Sequence, residues 1–228
     1  MRATAELLAR GGHHEVSSRA VSAAAGVQAP TIYRQFGDMR GLLDAVARET
    51  FAEYVRQKAT REQTDDSIED LRRGWDIHVA FGLANPAVHA LIYDAPTTMA
   101  DASVARDAAT ILNGLVARVA EAGRLRVTVP HAVSLIAAAG EGVTRSLIAT
   151  PPDARDLRLS ATMREAVIAA ITVASLDVSP GTTAPGQQRV AARAVALRAA
   201  LADVPGVLSS AERLLLGEWL DRLADVGG

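Results

Sequence analysis

Four side chains between residues 28 and 34 could form hydrogen bonds with a nucleic acid. Gln28 offers an amide, Arg34 a guanidinium, and Thr31 and Tyr33 hydroxyl groups. Pro30 favours the first turn of a short helix here, and a helix fits into a major groove about 12 Å wide. These polar side chains are predicted to lie on the outside of a short helix that could enter such a groove.

The residues around this stretch have the spacing of a helix-turn-helix. A preceding helix is predicted to begin at Ser17 or Ser18 and to end near Ala25. Gly26 then suits a turn, because glycine has no Cβ to restrict the backbone. Ser22 is small where the two helices would approach closely. Apolar residues at helical spacing are predicted to form the internal core of this motif: Val21, Ala25, Val27, Ile32 and Phe36.

The elements that position this motif are all predicted to be helices. Alanine is abundant, aromatic residues amount to 4%, and no sustained strand-like alternation is found. A stretch rich in Gly, Pro and Thr at residues 179–188 is predicted to be a linker. The predicted helices cover approximately residues 2–10, 17–25, 30–35, 39–58, 65–85, 87–94, 101–122, 130–149, 154–176, 188–202 and 210–225. The predicted fold class is therefore all-α.

Composition excludes several classes of site. The chain of 228 residues contains no cysteine, which rules out disulfides, zinc–thiolate sites, iron–sulfur clusters and cysteine nucleophiles. His13, His14 and Glu15 are adjacent, but a metal site needs three or four convergent donors. Phosphate-loop, dinucleotide-binding and nucleophile-elbow motifs are not found in the sequence. We therefore expect no metal, no other cofactor and no enzymatic activity.

Charge and hydropathy favour a cytoplasmic protein. The chain has 24 basic and 26 acidic residues, and a small basic excess in residues 1–58 does not by itself indicate nucleic-acid binding. Its longest apolar runs are shorter than the roughly 20 residues of a membrane span. No long apolar segment of a secretory signal is found at the start. We expect no membrane partner.

The N-terminal quarter resembles the TetR family of one-component transcriptional regulators. The spacing from Ala25-Gly26-Val27 through Thr31-Ile32-Tyr33 to Phe36 is the most specific part of the resemblance. Other residues that match are Leu7, Leu8, Gly11, Val21, Leu42 and Leu43. The resemblance implies a helix-turn-helix DNA-binding domain at residues 1–48, with the helix 39–58 as a connector. Residues 59–228 would form a helical domain for effector binding and dimerisation.

The resemblance also implies that Tyr33 donates its hydroxyl to a phosphate and that Thr31 contacts a phosphate or a base methyl. Gln28 could pair with adenine, and Arg34 with phosphate or guanine. The full set of residues implied to face DNA is larger. It comprises the start of the second helix, the recognition helix and one residue beyond it: Ser17, Ser18, Arg19, Gln28, Ala29, Pro30, Thr31, Tyr33, Arg34 and Arg40.

Two features depart from the family pattern. Met39 stands where family members usually have a phosphate-contacting lysine, and Arg40 beside it is a candidate substitute. The chain also lacks the basic arm that often precedes the first helix, which predicts weaker and more salt-sensitive DNA binding.

A small apolar or aromatic effector is the second implied partner. Candidate contacts are the large or polar side chains of residues 65–150: Trp75, His78, Phe81, Tyr93, Met99, Asn113, Glu141 and Arg145. Trp75, His78 and Phe81 share a helix face at spacings of three residues, but residues of this kind are more often ordinary core than pocket. Glu141 and Arg145 are more often an i, i+4 surface pair than a polar anchor.

A homodimer is the third implied feature. The helices at 130–149 and 154–176 are assigned to the dimer interface, and the small residues at 137–142 would let two helix backbones approach. Close packing within one chain would use the same residues. The helices after residue 187 could cap the effector domain, cover its pocket or extend the dimer face.

Together these features predict a repressor that binds a palindromic operator as a homodimer and is released by its effector. One alternative is a dimeric helical ligand-binding protein that has lost DNA binding, which the missing basic arm and Met39 would explain. A less favoured alternative is an all-α enzyme.

Overall fold

The structure, a computed structural model, describes residues 1–93, 101–173, 186–201 and 207–225. Within these ranges the fold is all-α, as predicted, and each α-helix lies where the sequence predicts one. The helices are α1 (Arg2–Gly11), α2 (Ser18–Ala25), α3 (Ala29–Phe36), α4 (Met39–Ala59), α5 (Ser67–Ala84), α6 (Pro86–Tyr93), α7 (Asp101–Glu121), α8 (Val129–Ala149), α9 (Arg158–Ile171), α10 (Gly186–Ala200) and α11 (Ser210–Asp225). Short 3-10 turns occur at Gly12–Glu15 and Pro152–Ala154.

The chain forms two compact units, and neither is a continuous segment. The division passes through α5, α7 and α8, so that each of these helices contributes residues to both units. The first unit comprises Met1–Glu62, Ile77–Thr110 and Thr144–Arg155, and the second comprises Gln63–Asp76, Ile111–Val143 and Asp156–Gly228. The functional domain boundary predicted between residues 48 and 59 remains a prediction.

Local signals explain the ends of the N-terminal helices. The Ser17 hydroxyl caps α2 by accepting a hydrogen bond from the Ala20 backbone N–H at 3.2 Å. Gly26 ends α2 with φ at 66°, a left-handed conformation that favours glycine. Asp38 caps α4 by accepting from the Gly41 N–H at 2.7 Å. A Cβ on Gly41 would collide with the Phe36 carbonyl oxygen, so the turn into α4 requires glycine there.

The first unit contains an apolar core built by α1–α4. Its buried members are Leu7, Leu8, Val21, Ile32, Leu42 and Val46. Phe36 and Met39 are half-buried and pack against this core. Ala87 of α6 also packs against it, and α6 contacts α1, the first 3-10 turn and α4. The same core therefore holds the helix-turn-helix and α6 together.

Two residues predicted to lie in that core are outside it. Val27 is 38% exposed, and Ala25 is exposed as well. The left-handed Gly26 ends the helix before Val27, whose backbone N–H donates to the Ser22 carbonyl in the turn. Helical periodicity therefore does not apply to Val27, and its predicted core position was wrong.

Buried polar side chains of α5 form hydrogen bonds with other parts of the second unit. The Asp70 carboxylate accepts hydrogen bonds from the Thr64 N–H at 2.9 Å and from Arg118 Nη1 at 2.5 Å. Burial raises the pKa of Asp70, but hydrogen bonds from Arg118 and Thr64 outweigh it, so the net pKa is below the ordinary value. The Trp75 indole N–H donates to the Ser160 hydroxyl at 3.0 Å. These contacts join residues that are far apart in the sequence.

The helix predicted at 154–176 is shorter at both ends. Pro152–Ala154 form a 3-10 turn, and α9 begins only after Asp156, whose carboxylate accepts from the Arg158 N–H. At the other end, Thr172 forms an isolated β-bridge with Leu125. This long-range pairing ends α9 at Ile171. Residues 179–185 of the predicted linker lie outside the described residues, and α10 begins at Gly186.

The 21-residue helix α8 could cross a membrane by length and composition alone. Its mean hydropathy is 1.3 over the relevant window, of which 33% is buried. One such helix is weak evidence, because a core or interface helix of a soluble protein passes the same test. The absence of a membrane partner remains a prediction.

Candidate nucleic-acid interface and aromatic cluster

The short helix α3 has one buried side and one exposed side. Ile32 lies in the core of the first unit, while Tyr33 is 42% exposed and Arg34 is also exposed. Gln28 occupies the N-cap position with an extended backbone, and Pro30 is in the first turn, where its missing N–H has no cost. The exposed side therefore presents a hydroxyl, a guanidinium and an amide together. Ala29 and Thr31 are only half-buried, so both keep some exposed surface.

A hydrogen bond links α3 to the start of α2. The Tyr33 hydroxyl donates to the Ser18 hydroxyl oxygen at 3.1 Å. Ser17 and Arg19 flank this contact and are exposed. The N-terminus of α2 also attracts anions through its backbone N–H groups and helix dipole. The structure thus brings the predicted residues of α2 and α3 to one surface.

The start of α4 differs from the family pattern in its chemistry. Met39 is half-buried and packs against the core of the first unit, whereas Arg40 is exposed. The position usually taken by a phosphate-contacting lysine is therefore used for packing. Arg40 is the exposed basic residue at this helix start, and its contact with DNA remains a prediction.

A cluster of aromatic side chains lies in the first unit, on α4, α5 and α6. The Tyr54 and Phe81 rings stack with centroids 4.3 Å apart, and Phe51 lies 5.4 Å from Tyr54. His78 and Tyr93 meet edge to face at 6.1 Å. His89 lies 4.5 Å from Tyr93 and is buried. We call these six residues the aromatic cluster.

A lysine gives the aromatic cluster a charged edge. Lys58 Nζ donates to the Tyr54 hydroxyl at 3.1 Å, and that hydroxyl lies 3.4 Å from His78 Nδ1. Because an ammonium can only donate, the Tyr54 proton is directed to Nδ1 of a neutral His78. Burial lowers the pKa of Lys58 to about 8. Burial, followed by the charges of Lys58 and His89, lowers the pKa of His78 to about 4.

The structure distributes the predicted effector residues unevenly. His78, Phe81 and Tyr93 belong to the aromatic cluster. Trp75 is instead buried within the second unit, where it contacts Ser160. Three other candidates lie on later helices: Asn113 is exposed on α7, Arg145 is exposed on α8, and Glu141 is half-buried on α8. Met99 lies outside the described residues. None of these placements tests effector contact, which remains a prediction.

Sequence reasoning missed the part of the cluster contributed by α4. Phe51, Tyr54 and Lys58 are spaced three and four residues apart, so they share a helix face. Lys58 is also the only lysine in the chain. That spacing could have indicated them, but only the fold shows that they meet His78 and Phe81.

The depressed pKa of His78 makes the stability of the protein depend on pH. Between about pH 6.5 and pH 4 the unfolded state binds a proton at this residue and the folded state does not, so stability is lost as pH falls. The loss reaches up to about 3 kcal/mol below pH 4. We expect His78→Gln to remove this part of the pH dependence in urea unfolding at pH 7 and pH 4.

The matched control is His14→Gln, because His14 is exposed. Carboxylates also titrate in this range, so only the difference between variants is informative. Equal losses for the wild type and His78→Gln would show that His78 is not held neutral by burial.

Comparison with known proteins supports the class that this geometry defines. Residues 1–46 match the family model described as bacterial regulatory proteins, tetR family. Residues 1–46 are therefore similar to the helix-turn-helix DNA-binding domain of TetR-family regulators, which supports the class of transcriptional regulator for this chain.

The fold of most of the chain is similar to that of a solved structure. The solved structure of the fatty acid degradation regulator FadR from Bacillus halodurans matches with a TM-score of 0.60. The match covers 73% of this chain and 91% of that chain, at 18% sequence identity. Identity at that level supports the fold alone. No curated protein matches the sequence.

Proposed function

We propose that the protein is a homodimeric repressor that binds a palindromic operator and is released by a small apolar or aromatic effector. The observation that supports operator binding best is the exposed side of α3. Gln28, Tyr33 and Arg34 are exposed there, while Ile32 anchors the helix in the core. Each protomer would place α3 in a major groove, with the two helices about 34–36 Å apart along the DNA.

Exposed apolar side chains on α8 and α9 support the proposed dimer. Leu135, Leu159 and Met163 are each at least 36% exposed. Leu159, Met163 and Ala166 lie at spacings of four and three residues, so they form one stripe along α9. A second copy that packs on this stripe would remove it from water.

The aromatic cluster supports the proposed effector class. Stacked rings favour an apolar or aromatic ligand, and Lys58 with Tyr54 could orient a polar group on it. The structural neighbour regulates fatty acid degradation, which makes fatty acyl compounds one class to include in an effector screen.

The helix α6 offers a route from effector to DNA within the first unit. His89 and Tyr93 of α6 belong to the aromatic cluster, whereas Ala87 of the same helix packs against the helix-turn-helix core. An effector that displaces α6 would therefore disturb the support of α3. This mechanism requires that the effector bind the two states with different affinities. We also propose a cytoplasmic location, as operator binding requires.

The test is selection of duplex DNA from a genomic-fragment library by the purified full chain at moderate salt. We expect the wild type to enrich a palindrome. Met163→Arg places a charge in the proposed interface and should enrich no palindrome, whereas the exposed Leu214→Arg on α11 serves as the matched control.

Three outcomes distinguish the dimeric regulator from a ligand-binding protein that does not bind DNA. A palindrome enriched by the wild type and by Leu214→Arg alone supports the dimeric regulator with an interface on α9. A palindrome enriched by Met163→Arg contradicts that interface. No enrichment by the wild type, even at low salt, favours a ligand-binding protein without DNA binding and would fit the packing of Met39.

A further inference from the structure

A cavity of about 370 Å³ lies within the second unit, between the start of α5, the segment after α7 and the end of α9. This volume is within the range of small-molecule pockets, roughly 300–1,000 Å³. Apolar surface comes from Ile68, Ile168 and Val173. Charged surface comes mainly from Arg72, Arg124 and Glu165. The lining is thus apolar on one part and charged on another.

Both acidic residues of the lining already have partners. Glu165 accepts hydrogen bonds from Arg72 Nε and Nη2 at 3.0–3.1 Å, and from Arg164 Nε at 2.8 Å. Hydrogen bonding from Arg72 is the main cause that lowers the pKa of Glu165, so its carboxylate is ionised. Asp66 accepts from the backbone N–H groups of Ile68 and Glu69 as the cap of α5. Glu165 is therefore paired with two arginines, and Asp66 is oriented towards the start of α5.

Arg124 differs from these two carboxylates because one of its side-chain atoms is unpaired within the described part of the chain. Its Nε atom is buried and has no hydrogen-bond partner among the residues that the structure describes. Its backbone is fixed, because its N–H donates to the Val119 carbonyl at 3.0 Å and its carbonyl accepts from the Val173 N–H at 2.9 Å. A buried N–H without an acceptor is unusual in folded proteins. Arg124 lines the cavity and is only half-buried, so its terminal Nη groups are the part of the guanidinium that could reach a ligand. A guanidinium can bind a carboxylate through two parallel hydrogen bonds.

We propose that this cavity binds a small carboxylate with a short apolar chain. The carboxylate pairs with the Arg124 guanidinium, and the chain packs against Ile68, Ile168 and Val173. The site shares no residue with the aromatic cluster, so it is separate from the proposed effector site and does not depend on DNA binding.

The geometry of α9 keeps the cavity compatible with the proposed dimer. Glu165, Ile168 and Ala169 line the cavity, while Leu159 and Met163 belong to the exposed apolar stripe. At 3.6 residues per turn, residues 163 and 165 are about 160° apart, whereas residues 166 and 169 are about 60° apart. The stripe and the cavity lining therefore occupy different but neighbouring sides of α9.

The test is calorimetric titration of the purified full chain with sodium hexanoate, hexylamine and 1-hexanol as probes. We expect hexanoate to bind, with at least tenfold weaker affinity for Arg124→Gln. The matched control is Arg126→Gln, because Arg126 is exposed two residues further along the same segment. It should bind hexanoate as the wild type does. Hexylamine, which has a cationic head, should not bind.

Further variants keep the proposal falsifiable if Arg124→Gln folds poorly. Ala169→Phe fills the cavity without removing the charge, and we expect it to abolish hexanoate binding; circular dichroism checks the fold of each variant. Retained binding in folded Arg124→Gln or Ala169→Phe would overturn the proposal. Loss of hexanoate binding in Lys58→Gln, with binding kept in Arg124→Gln and Ala169→Phe, would also overturn it. The same holds if hexylamine binds as well as hexanoate, or if the wild type does not bind hexanoate.

Discussion

Replacing Thr31 and Tyr33 together with alanine is expected to weaken operator binding by at least about 100-fold, or about 3 kcal/mol. Both hydroxyl groups lie on α3, the proposed recognition helix, and Tyr33 is exposed beside the start of α2. Each lost contact to phosphate or base is worth about 1–3 kcal/mol. The measurement is fluorescence anisotropy with a selected palindromic duplex at one fixed salt concentration.

The fold and the dimer should survive this double substitution. The Tyr33 hydroxyl makes an exposed hydrogen bond to Ser18, whose loss costs only about 0.5–1.5 kcal/mol. Thr31 is half-buried and lies outside the buried core. Circular dichroism and sedimentation should therefore give wild-type results.

Gln35→Ala is the matched control for the affinity measurement. Gln35 is exposed on the same helix but is not among the residues implied to face DNA. Its affinity should stay within about threefold of the wild type, since surface changes away from a contact cost about 0.5 kcal/mol or less. Wild-type affinity in the double variant would refute the assignment of α3 as the recognition helix.

Local signals were enough to predict most helices and which side of α3 is exposed. Ser17, Gly26 and Pro30 fix the ends of α2 and α3 through capping, left-handed backbone and restricted φ, all of which depend on neighbouring residues. The alternation of buried Ile32 with exposed Tyr33 and Arg34 follows from helical periodicity. These features could be predicted because they need no information about distant parts of the chain.

Features set by long-range packing could not be predicted in the same way. The bridge between Leu125 and Thr172 ends α9 earlier than its own sequence indicates. Lys58 enters the aromatic cluster only because α4 packs near α5 and α6. Periodicity also groups Trp75 with His78, although the two residues belong to different compact units. A shared helix face therefore did not imply a shared site.

Trp75→Ala is expected to destabilise the protein by about 3–5 kcal/mol, the usual cost of removing a buried aromatic side chain. Trp75 is 6% exposed, and its indole N–H donates to the buried Ser160 hydroxyl. Trp75→Phe should cost less, about 1–3 kcal/mol, because it keeps most of the packing and leaves only the Ser160 hydroxyl unpaired. Urea unfolding followed by circular dichroism measures both changes.

The other tryptophan of the chain provides the matched control. Trp219 on α11 is 49% exposed, so Trp219→Ala should change the free energy of unfolding by only about 0.5 kcal/mol. The same variant leaves Trp75 as the sole source of tryptophan fluorescence. Its emission should then be that of a buried indole and should shift only on unfolding.

These variants also decide between the two roles considered for Trp75. If the residue is core, Trp75→Phe should release DNA at the same effector concentration as the wild type, because the aromatic cluster is unchanged. A Trp75→Ala protein that stays folded, binds DNA normally and responds weakly to effector would instead show that Trp75 contacts the effector. In that case the hydrogen bond from Trp75 to Ser160 would break when the effector binds. The buried position of the indole would then correspond to a pocket that is closed in the absence of effector.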